Sequence, residues 1–194
     1  MQHHAGKNRV GWLLFGLCAA VMPAIADDIV LADFQADDGS SWQLVNDTVM
    51  GGRSSSDFRI ENGALHFSGT LSTNGGGFAS VRSGRLNVSG SDQDVIRLRV
   101  KGDGRQYQLR LYCASTGTTY RATFDTRPDA WQLVELPLPA FQATWRGRLL
   151  NRPPIRSSEI SGLGILLADG QDGAFTLALS WVKLTNASEF PNIQ

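Results

Sequence analysis

Short runs of alternating apolar and polar residues, separated by tight-turn signals, are the feature that most constrains the fold of this chain. In Val95–Lys101, apolar and basic side chains alternate, so they would lie on opposite faces of an extended strand. Pairs such as Asn62-Gly63 and Asp103-Gly104 supply the positive φ angles that tight hairpins need. Helical periodicity is nearly absent. We therefore predict an all-β chain of about ten antiparallel strands in a sandwich or barrel.

The predicted strands are distributed along the chain after its first 28 residues. They are Ile29–Phe34, Phe58–Ile60, Ala64–Gly69, Phe78–Ser83, Val95–Lys101, Gln106–Cys113, Thr118–Asp125, Trp131–Leu136, Gly162–Ala168 and Ala174–Leu184. The proline-containing stretch Pro137–Ser158 interrupts this rhythm and is interpreted as a long connection with one helical turn near Phe141.

The N-terminal region has the pattern of an export signal. Lys7 and Arg9 precede the apolar run Val10–Met22, and Ala24-Ile25-Ala26 matches a small-x-small cleavage pattern. The apolar run is shorter than the roughly 20 residues of a membrane-spanning helix. We therefore expect a signal peptide at 1–26, one β-sandwich domain at 27–184 and a loose polar tail at 185–194. The expected location is periplasmic or secreted, without a membrane span once the signal is cleaved.

Composition excludes several function classes. The 194 residues carry 18 basic and 18 acidic side chains. The chain therefore lacks the net positive charge that would favour nucleic acid as a partner. After the predicted cleavage, His66 and Cys113 are the remaining histidine and cysteine. His66 lies on the polar side of an alternating strand, and Cys113 is expected in the core. A Ser-His-Asp, Cys-His or tetrahedral zinc site is therefore not predicted.

One predicted sheet face is rich in arginine. If Val95–Lys101, Gln106–Cys113 and Thr118–Asp125 are neighbouring strands, their outward side chains lie together. Those side chains are Arg97, Arg99, Gln106, Gln108, Arg110, Tyr112 and Arg121. Such a face could bind carboxylates, sugar hydroxyls or an acidic loop. The alternative is an ordinary charged face in contact with water.

Three loop segments are richer in glycine and charge than turn formation requires: Trp42–Ser56, Gly69–Arg82 and Lys101–Tyr107. The first contains Met-Gly-Gly-Arg after Asn-Asp, and the second contains Gly-Gly-Gly-Phe. Glycine allows such backbone to pass very close to another surface. Neither segment is a phosphate-binding loop, because the required Lys-Ser or Lys-Thr and a following helix are missing.

These loops resemble a known family. The order Asn-Asp-Thr-Val-Met-Gly-Gly-Arg-Ser, Asn-Gly-Gly-Gly-Phe-Ala-Ser and Lys-Gly-Asp-Gly-Arg-x-Tyr is similar to the complex I intermediate-associated protein family of the thirty-kilodalton class. The resemblance runs from about Asp33 to Leu184. It implies a single galactose-binding-like jelly-roll β-sandwich. It also implies a non-enzymatic assembly factor that acts as a chaperone for the membrane arm of NADH:ubiquinone oxidoreductase.

The first functional hypothesis is therefore a protein-binding or assembly module of the cell envelope. Its predicted contact residues lie in the three loops and in one later irregular segment. They are Asn46, Asp47, Met50, Arg53, Asn74, Phe78, Arg82, Asp103, Arg105 and Arg148. The alternative for the charged members is that Arg53 and Arg105 pair with Asp47 and Asp103 and hold the loops together.

Two other functions stay open from the sequence. A carbohydrate-binding module would use Trp145 as an exposed aromatic contact, and an enzyme would need an unrecognised pair of carboxylates. No cofactor is predicted, although Asp33, Asp37 and Asp38 lie close enough in sequence to supply oxygen ligands for a structural calcium ion. The alternative for these aspartates is an acidic surface loop.

Overall fold

A computed structural model describes Met1 and residues 28–37, 39–88 and 93–187 of the chain. The predicted signal peptide and most of the predicted tail therefore lie outside the described residues, and both remain predictions. Within the described ranges, three short 3-10 helices connect strands, at Asp47–Met50, Leu138–Ala140 and Ser157–Glu159. The strands are β1 (Ile29–Asp33), β2 (Gln43–Asn46), β3 (Ser55–Glu61), β4 (Ala64–Leu71), β5 (Ala79–Arg82), β6 (Val95–Lys101), β7 (Gln106–Cys113), β8 (Thr118–Asp125), β9 (Trp131–Pro137), β10 (Gln142–Trp145), β11 (Arg148–Leu149), β12 (Gly162–Leu167) and β13 (Gly173–Thr185).

The strands form two antiparallel sheets that pack face to face. One sheet has the order β3-β4-β13-β6-β9, with β1 paired to the second half of β13, and the other has the order β11-β10-β8-β7-β12-β5-β2. Each sheet gives alternate apolar side chains to a shared core, as the sequence alternation requires. Leu98, Leu177, Leu109 and Ile165 are among the core side chains with almost no exposed surface. The predicted all-β sandwich is confirmed.

The alternating runs give accurate strand bounds, and the irregular runs do not. β6, β7 and β8 have the predicted limits, whereas β2, β10 and β11 are not predicted. The long connection after β9 contains the β10–β11 hairpin, whose two-residue turn Arg146-Gly147 has positive φ at both positions. A turn of this kind matches the right-handed twist of the flanking strands.

One sheet assignment is wrong. β6 pairs with β13 and β9 in the six-stranded sheet and not with β7. Arg97 and Arg99 therefore lie on the opposite side of the sandwich from Arg110 and Arg121. The alternation within β6 is compatible with either sheet, so it determines the inward face of the strand but not its neighbours.

Candidate binding groove

Asp47 organises the first two glycine-rich loops. Its side chain has no exposed surface, and it accepts hydrogen bonds from Ser54 N (3.0 Å), Ser54 Oγ (2.6 Å), Gly77 N (2.6 Å) and Phe78 N (3.3 Å). Burial alone raises the pKa of this carboxyl, but the hydrogen bonds outweigh burial and leave its pKa below the ordinary value. Asp47 therefore acts as an internal anionic anchor for two loops that are distant in sequence.

The glycines of these loops allow the backbone to approach Asp47. A Cβ atom on Gly52 would lie 2.3 Å from Asp47 Cγ, and one on Gly76 would lie 2.4 Å from Asp47 Oδ2. Both distances are far below a normal contact, so glycine is required at each position. The Met-Gly-Gly and Gly-Gly-Gly motifs thus have a packing role around one buried carboxylate.

Arg105 and Asp103 form a second internal network. Arg105 binds Asp169 through two hydrogen bonds, Nε to Oδ2 at 2.9 Å and Nη2 to Oδ1 at 2.6 Å, and it also donates to the carbonyl groups of Gln171, Gly173 and Ala174. Hydrogen bonding to Asp169 raises the pKa of Arg105, and desolvation opposes this only in part.

Asp103 belongs to the same network and connects it to the core. It accepts from the Tyr107 hydroxyl at 3.1 Å and from Thr176 N at 2.8 Å. Burial, followed by the charge and hydrogen bond of Asp103, raises the pKa of Tyr107 far above its ordinary value. The Lys-Gly-Asp-Gly-Arg-x-Tyr motif therefore ties the β6–β7 turn to the segment between β12 and β13, and the side chains of Asp103, Arg105 and Tyr107 bond within the chain.

A groove lies on the outer face of the seven-stranded sheet, beside the Asp47 loops. It has a volume of about 600 Å³ and is lined by Met50, Gly76, Gly77, Phe78, Arg82, Gln108, Arg110, Arg121, Arg146, Gly147, Leu166 and Ala168. We call it the arginine groove. The loops held by Asp47 supply Met50 and Phe78, and the β10–β11 turn supplies Arg146. Its lining residues carry guanidinium, amide, apolar and backbone groups.

Three groove arginines stand in one row across the sheet. Arg82 on β5 and Arg110 on β7 are both register partners of Gly164 on β12, and Arg110 is directly opposite Arg121 on β8. Directly opposite residues project from the same sheet face, and neighbouring strands are about 4.8 Å apart. We call Arg82, Arg110 and Arg121 the arginine row. Gly164 lies between Arg82 and Arg110, and the space that a Cβ would need there is occupied, since the Tyr112 hydroxyl and Arg82 Cγ would lie 3.1 and 3.2 Å from it.

The arginine row has few partners within the described part of the chain. Arg110 Nη2 makes a long hydrogen bond of 3.4 Å to Gln108, and Arg82 lies 5.6 Å from the centre of the Tyr112 ring. Buried Nε atoms of Arg82 and Arg110 have no hydrogen-bond acceptor. Desolvation and the nearby charges of Arg82 and Arg121 lower the pKa of Arg110, although Tyr112 opposes them. Guanidinium groups stay protonated at neutral pH even so, and the row is therefore a concentrated positive charge.

The structure brings together only part of the predicted contact set. Met50, Phe78 and Arg82 line the groove, whereas Asp47, Asp103 and Arg105 hold loops together from inside. The expected pairing of Arg105 with Asp103 involves the Arg105 backbone N–H, while the guanidinium binds Asp169.

The remaining members of the predicted set do not line the groove. Asn46 accepts from Ser56 Oγ at 2.7 Å, and Arg53, Asn74 and Arg148 are exposed. Trp145 is 52% exposed and lies 4.8 Å from the Arg146 guanidinium carbon. Sequence reasoning did not find Arg146 and Leu166. A positive φ of 46° at Arg146 is unusual for a non-glycine residue, but it becomes visible only in the folded turn.

The aspartates proposed for calcium have local partners. Asp33 accepts from Gln35 N, and Asp37 accepts from Gly39 N and from the Trp42 indole at 2.9 Å. Asp38 lies outside the described residues, so the calcium hypothesis stays a prediction. Across the described ranges, no group of three or more His, Cys, Asp and Glu side chains has a geometry suited to a metal ion.

No helix in the described part of the chain has the length and hydropathy needed to cross a bilayer.

Comparison with solved structures identifies the fold. A family 11 carbohydrate-binding module from Clostridium thermocellum, in complex with a β-1,3-1,4-mixed-linked tetrasaccharide, superimposes with a TM-score of 0.60 at 15% identity, over 82% of this chain and 96% of the module. The agarase AgWH50C gives 0.60 at 14% identity over 82% of this chain and 24% of the enzyme. Likeness at this identity shows the fold alone, and it agrees with the expected galactose-binding-like sandwich.

Curated relatives correct one prediction. Mitochondrial complex I intermediate-associated protein 30 of Mus musculus is 25% identical over 173 residues, which cover 76% of this chain and 53% of the mouse protein. A probable mitochondrial protein of the same name from Caenorhabditis elegans is 29% identical over 98 residues, 47% of this chain and 29% of the worm protein. This chain thus spans about half the length of the mouse relative. The predicted periplasmic or secreted location is wrong, because these named relatives are mitochondrial proteins.

The family match covers almost the whole sandwich. The family model for Complex I intermediate-associated protein 30 matches residues 32–179, from β1 into the middle of β13. This range includes both Asp47 loops, the Arg105 network and the arginine groove. The resemblance drawn from the three loop motifs is confirmed: the chain belongs to the complex I intermediate-associated protein 30 family.

Proposed function

We propose that this chain is a non-enzymatic binding module that associates with assembly intermediates of respiratory complex I and holds a protein partner in the arginine groove. One observation carries the proposal: the match to a family named for this association extends over 32–179 and includes every strand that builds the groove floor. The curated relatives carry the same name. The partner and the role are thus inferred from the family, and the surface is inferred from geometry.

The chemistry of the groove supports binding without turnover. Arginine and glutamine side chains can hold and orient a ligand through several hydrogen bonds. General acid–base catalysis needs a group that gains and loses a proton near the working pH, and guanidinium groups do not do so. Met50, Phe78 and Leu166 add apolar contact area between the charged groups. Such a mixture of arginine and apolar side chains is common in protein interfaces.

Affinity purification from the source cells tests the association. The tagged full chain is purified after mild detergent treatment, and complex I subunits are quantified by mass spectrometry and native electrophoresis. We expect enrichment of partly assembled complex I over the same tag on an unrelated β-sandwich. Equal recovery of complex I subunits by both baits would overturn the proposal.

A carbohydrate ligand is the second candidate, and the structure has features that favour it. The groove combines planar polar side chains with Phe78, and the exposed Trp145 is the chain neighbour of Arg146, which lines the groove. Sugar sites combine hydrogen-bonding side chains with aromatic surfaces that stack on the ring. Calorimetric titration with a β-1,3-1,4-linked glucan tetrasaccharide tests this candidate. Saturable heat that Trp145→Ala abolishes would favour carbohydrate over protein, and absence of heat at millimolar sugar would reject this ligand.

A further inference from the structure

We propose that the arginine groove binds an extended peptide segment that carries at least two carboxylates, laid across the strands along the arginine row. This inference rests on the proposed function, because that function makes the occupant a protein. It adds the chemistry of the recognised segment and the direction in which it lies. Four observations carry it: the unbalanced charge of the arginine row, its unsatisfied polar atoms, the alignment of three neighbouring cavities along it, and the length of the row.

The fold leaves the charge of the arginine row unbalanced. Arg110 and Arg121 are directly opposite on neighbouring strands, an arrangement in which like charges repel. The other sheet provides an internal comparison, since Arg97 on β6 faces Glu135 on β9 and binds it at 2.8 Å. No carboxylate lines the arginine groove among the described residues. A ligand that supplies carboxylates would therefore relieve repulsion that the chain itself does not relieve.

Unsatisfied polar atoms lie at the same place. The Nε atoms of Arg82 and Arg110 and the hydroxyl of Tyr112 are buried without a hydrogen-bond partner in the described structure. Buried donors that lack an acceptor cost free energy. Arginine presents its donors in a planar fork that matches the two oxygens of a carboxylate. A carboxylate at these guanidinium groups would supply the acceptor that the buried Nε atoms lack, provided that the arginine side chains turn to expose Nε when it binds.

Three neighbouring cavities lie along the row and share lining residues. The central groove of about 600 Å³ shares Arg82 with a cavity of about 320 Å³ that contains Gln43 and Tyr112. On its other side it shares Gln108 and Arg121 with a cavity of about 250 Å³. A single phosphate or lipid headgroup would occupy one cavity, whereas an extended chain reaches all three. The arrangement of the cavities in one line therefore favours a linear ligand.

The length of the row fits a short peptide. Register partners run from Gln43 on β2 through the arginine row to Gln142 on β10, which spans about five strand spacings, or about 24 Å. An extended peptide of about seven residues covers that distance at 3.4 Å per residue, and its alternate side chains point the same way. Carboxylates at alternate positions would reach the arginines, and the groove's apolar side chains would contact the residues between them.

Fluorescence anisotropy with designed peptides tests the inference. The probe is a labelled octapeptide of alternating Glu and Ala, and its neutral match alternates Gln and Ala. We expect the Glu peptide to bind the full chain at least about 10-fold more tightly, with affinity falling as salt rises. The double variant Arg110→Gln, Arg121→Gln should lose at least about 10-fold in affinity for the Glu peptide. The control Arg59→Gln, Arg99→Gln, which removes the same charge from the other sheet, should change affinity less than about twofold.

Competing ligands separate the alternatives. Inorganic phosphate, phosphatidylglycerol vesicles and polygalacturonate are added as competitors and as direct ligands. Tight binding of polygalacturonate or vesicles without binding of the Glu peptide would overturn the inference, and so would equal affinity for Glu and Gln peptides. Equal losses in the groove and control variants would also overturn it, because binding would then reflect net charge alone.

The complex I association and the inference about an acidic peptide segment can fail independently of each other. If complex I subunits co-purify equally with the wild type and the groove variant, the complex I association stands, and the inference that the groove binds an acidic segment of the partner is wrong. If the Glu peptide binds through the groove but no complex I subunit co-purifies, the carboxylate chemistry stands and the complex I association is wrong.

Discussion

Replacement of Asp47 by asparagine tests the reasoning about the glycine-rich loops most sharply. Asparagine has nearly the same shape, but it replaces one carboxylate oxygen with an NH₂ donor and removes the charge. Asp47 Oδ2 accepts from three donors and Oδ1 from a fourth. Either orientation of the amide therefore places its NH₂ group against at least one existing donor. Asp47→Asn is expected to destabilise the fold without creating a cavity.

The magnitude follows from the hydrogen bonds that are lost. A hydrogen bond to a charged group contributes about 1.5–3 kcal/mol, and an unsatisfied buried donor adds to the cost of its loss. We expect Asp47→Asn to lower the free energy of unfolding by about 3 kcal/mol. For a domain of this size, that corresponds to a decrease in Tm of roughly 6–12 °C.

Urea and thermal unfolding of the full chain, followed by circular dichroism, measure this difference. Asp57→Asn is the matched control, because Asp57 is exposed and, among the described residues, accepts one hydrogen bond, from the neighbouring Phe58 N–H at 2.8 Å. The control should change the free energy of unfolding by less than about 0.5 kcal/mol. If Asp47→Asn is as mild as Asp57→Asn, Asp47 is not the anchor of these loops.

Three further predictions concern the charged networks. Arg105→Lys should lower the free energy of unfolding by about 2–4 kcal/mol in urea titrations, since lysine cannot reproduce the paired hydrogen bonds to Asp169 or reach the same carbonyl groups. Hydrogen bonds hold the pKa values of Asp47 and Asp169 below normal against the effect of burial, so these groups stabilise the fold above their unfolded pKa near 4. Urea midpoints at successive pH values should therefore fall as the pH drops below about 4 toward the lower folded pKa values. Arg121→Gln should raise the free energy of unfolding by about 0.5 kcal/mol, measured as a slightly higher Tm, because it removes the repulsion with Arg110.

Each of these predictions has a clear contradictory result. An Arg105→Lys protein with wild-type stability would remove the Arg105 network from the structural account. A urea midpoint that rises on acidification through pH 4 would contradict the linkage argument. A large decrease in Tm for Arg121→Gln would mean that Arg121 stabilises the native sheet, and its role as a binding residue would then lose support.

Local alternation explains why much of the fold is predictable. In β7, inward apolar residues alternate with outward polar residues over all eight positions, and the strand has the predicted limits. The short β2 and β10 consist of four residues each, too few for alternation to be distinguished from a loop. Whether a strand forms, and which of its side chains point inward, is thus determined locally. The sheet that the strand joins depends on partner strands far away in sequence. For this reason the sequence predicts the outward face of Arg110 correctly but groups it wrongly with Arg97.

Candidate site residues follow the same division. The glycine-rich motifs were identified from sequence, but their contact partners were not, because Asp47 meets Gly77 and Arg105 meets Asp169 only after folding. Charged residues in glycine-rich loops are equally consistent with an external contact and with an internal anchor, and burial decides between them. The arginine row depends on register across four strands, β5, β12, β7 and β8. No local pattern contains that information.

Complementation most directly tests the claim that the arginine groove binds a complex I assembly partner. Cells that lack this gene receive the wild type, the Arg110→Gln, Arg121→Gln variant or the Arg59→Gln, Arg99→Gln control at matched levels. Assembled complex I is then measured by NADH dehydrogenase activity after native electrophoresis. We expect the wild type and the control to restore assembly and the groove variant to fail, although it is folded. Full restoration by the groove variant would contradict the claim.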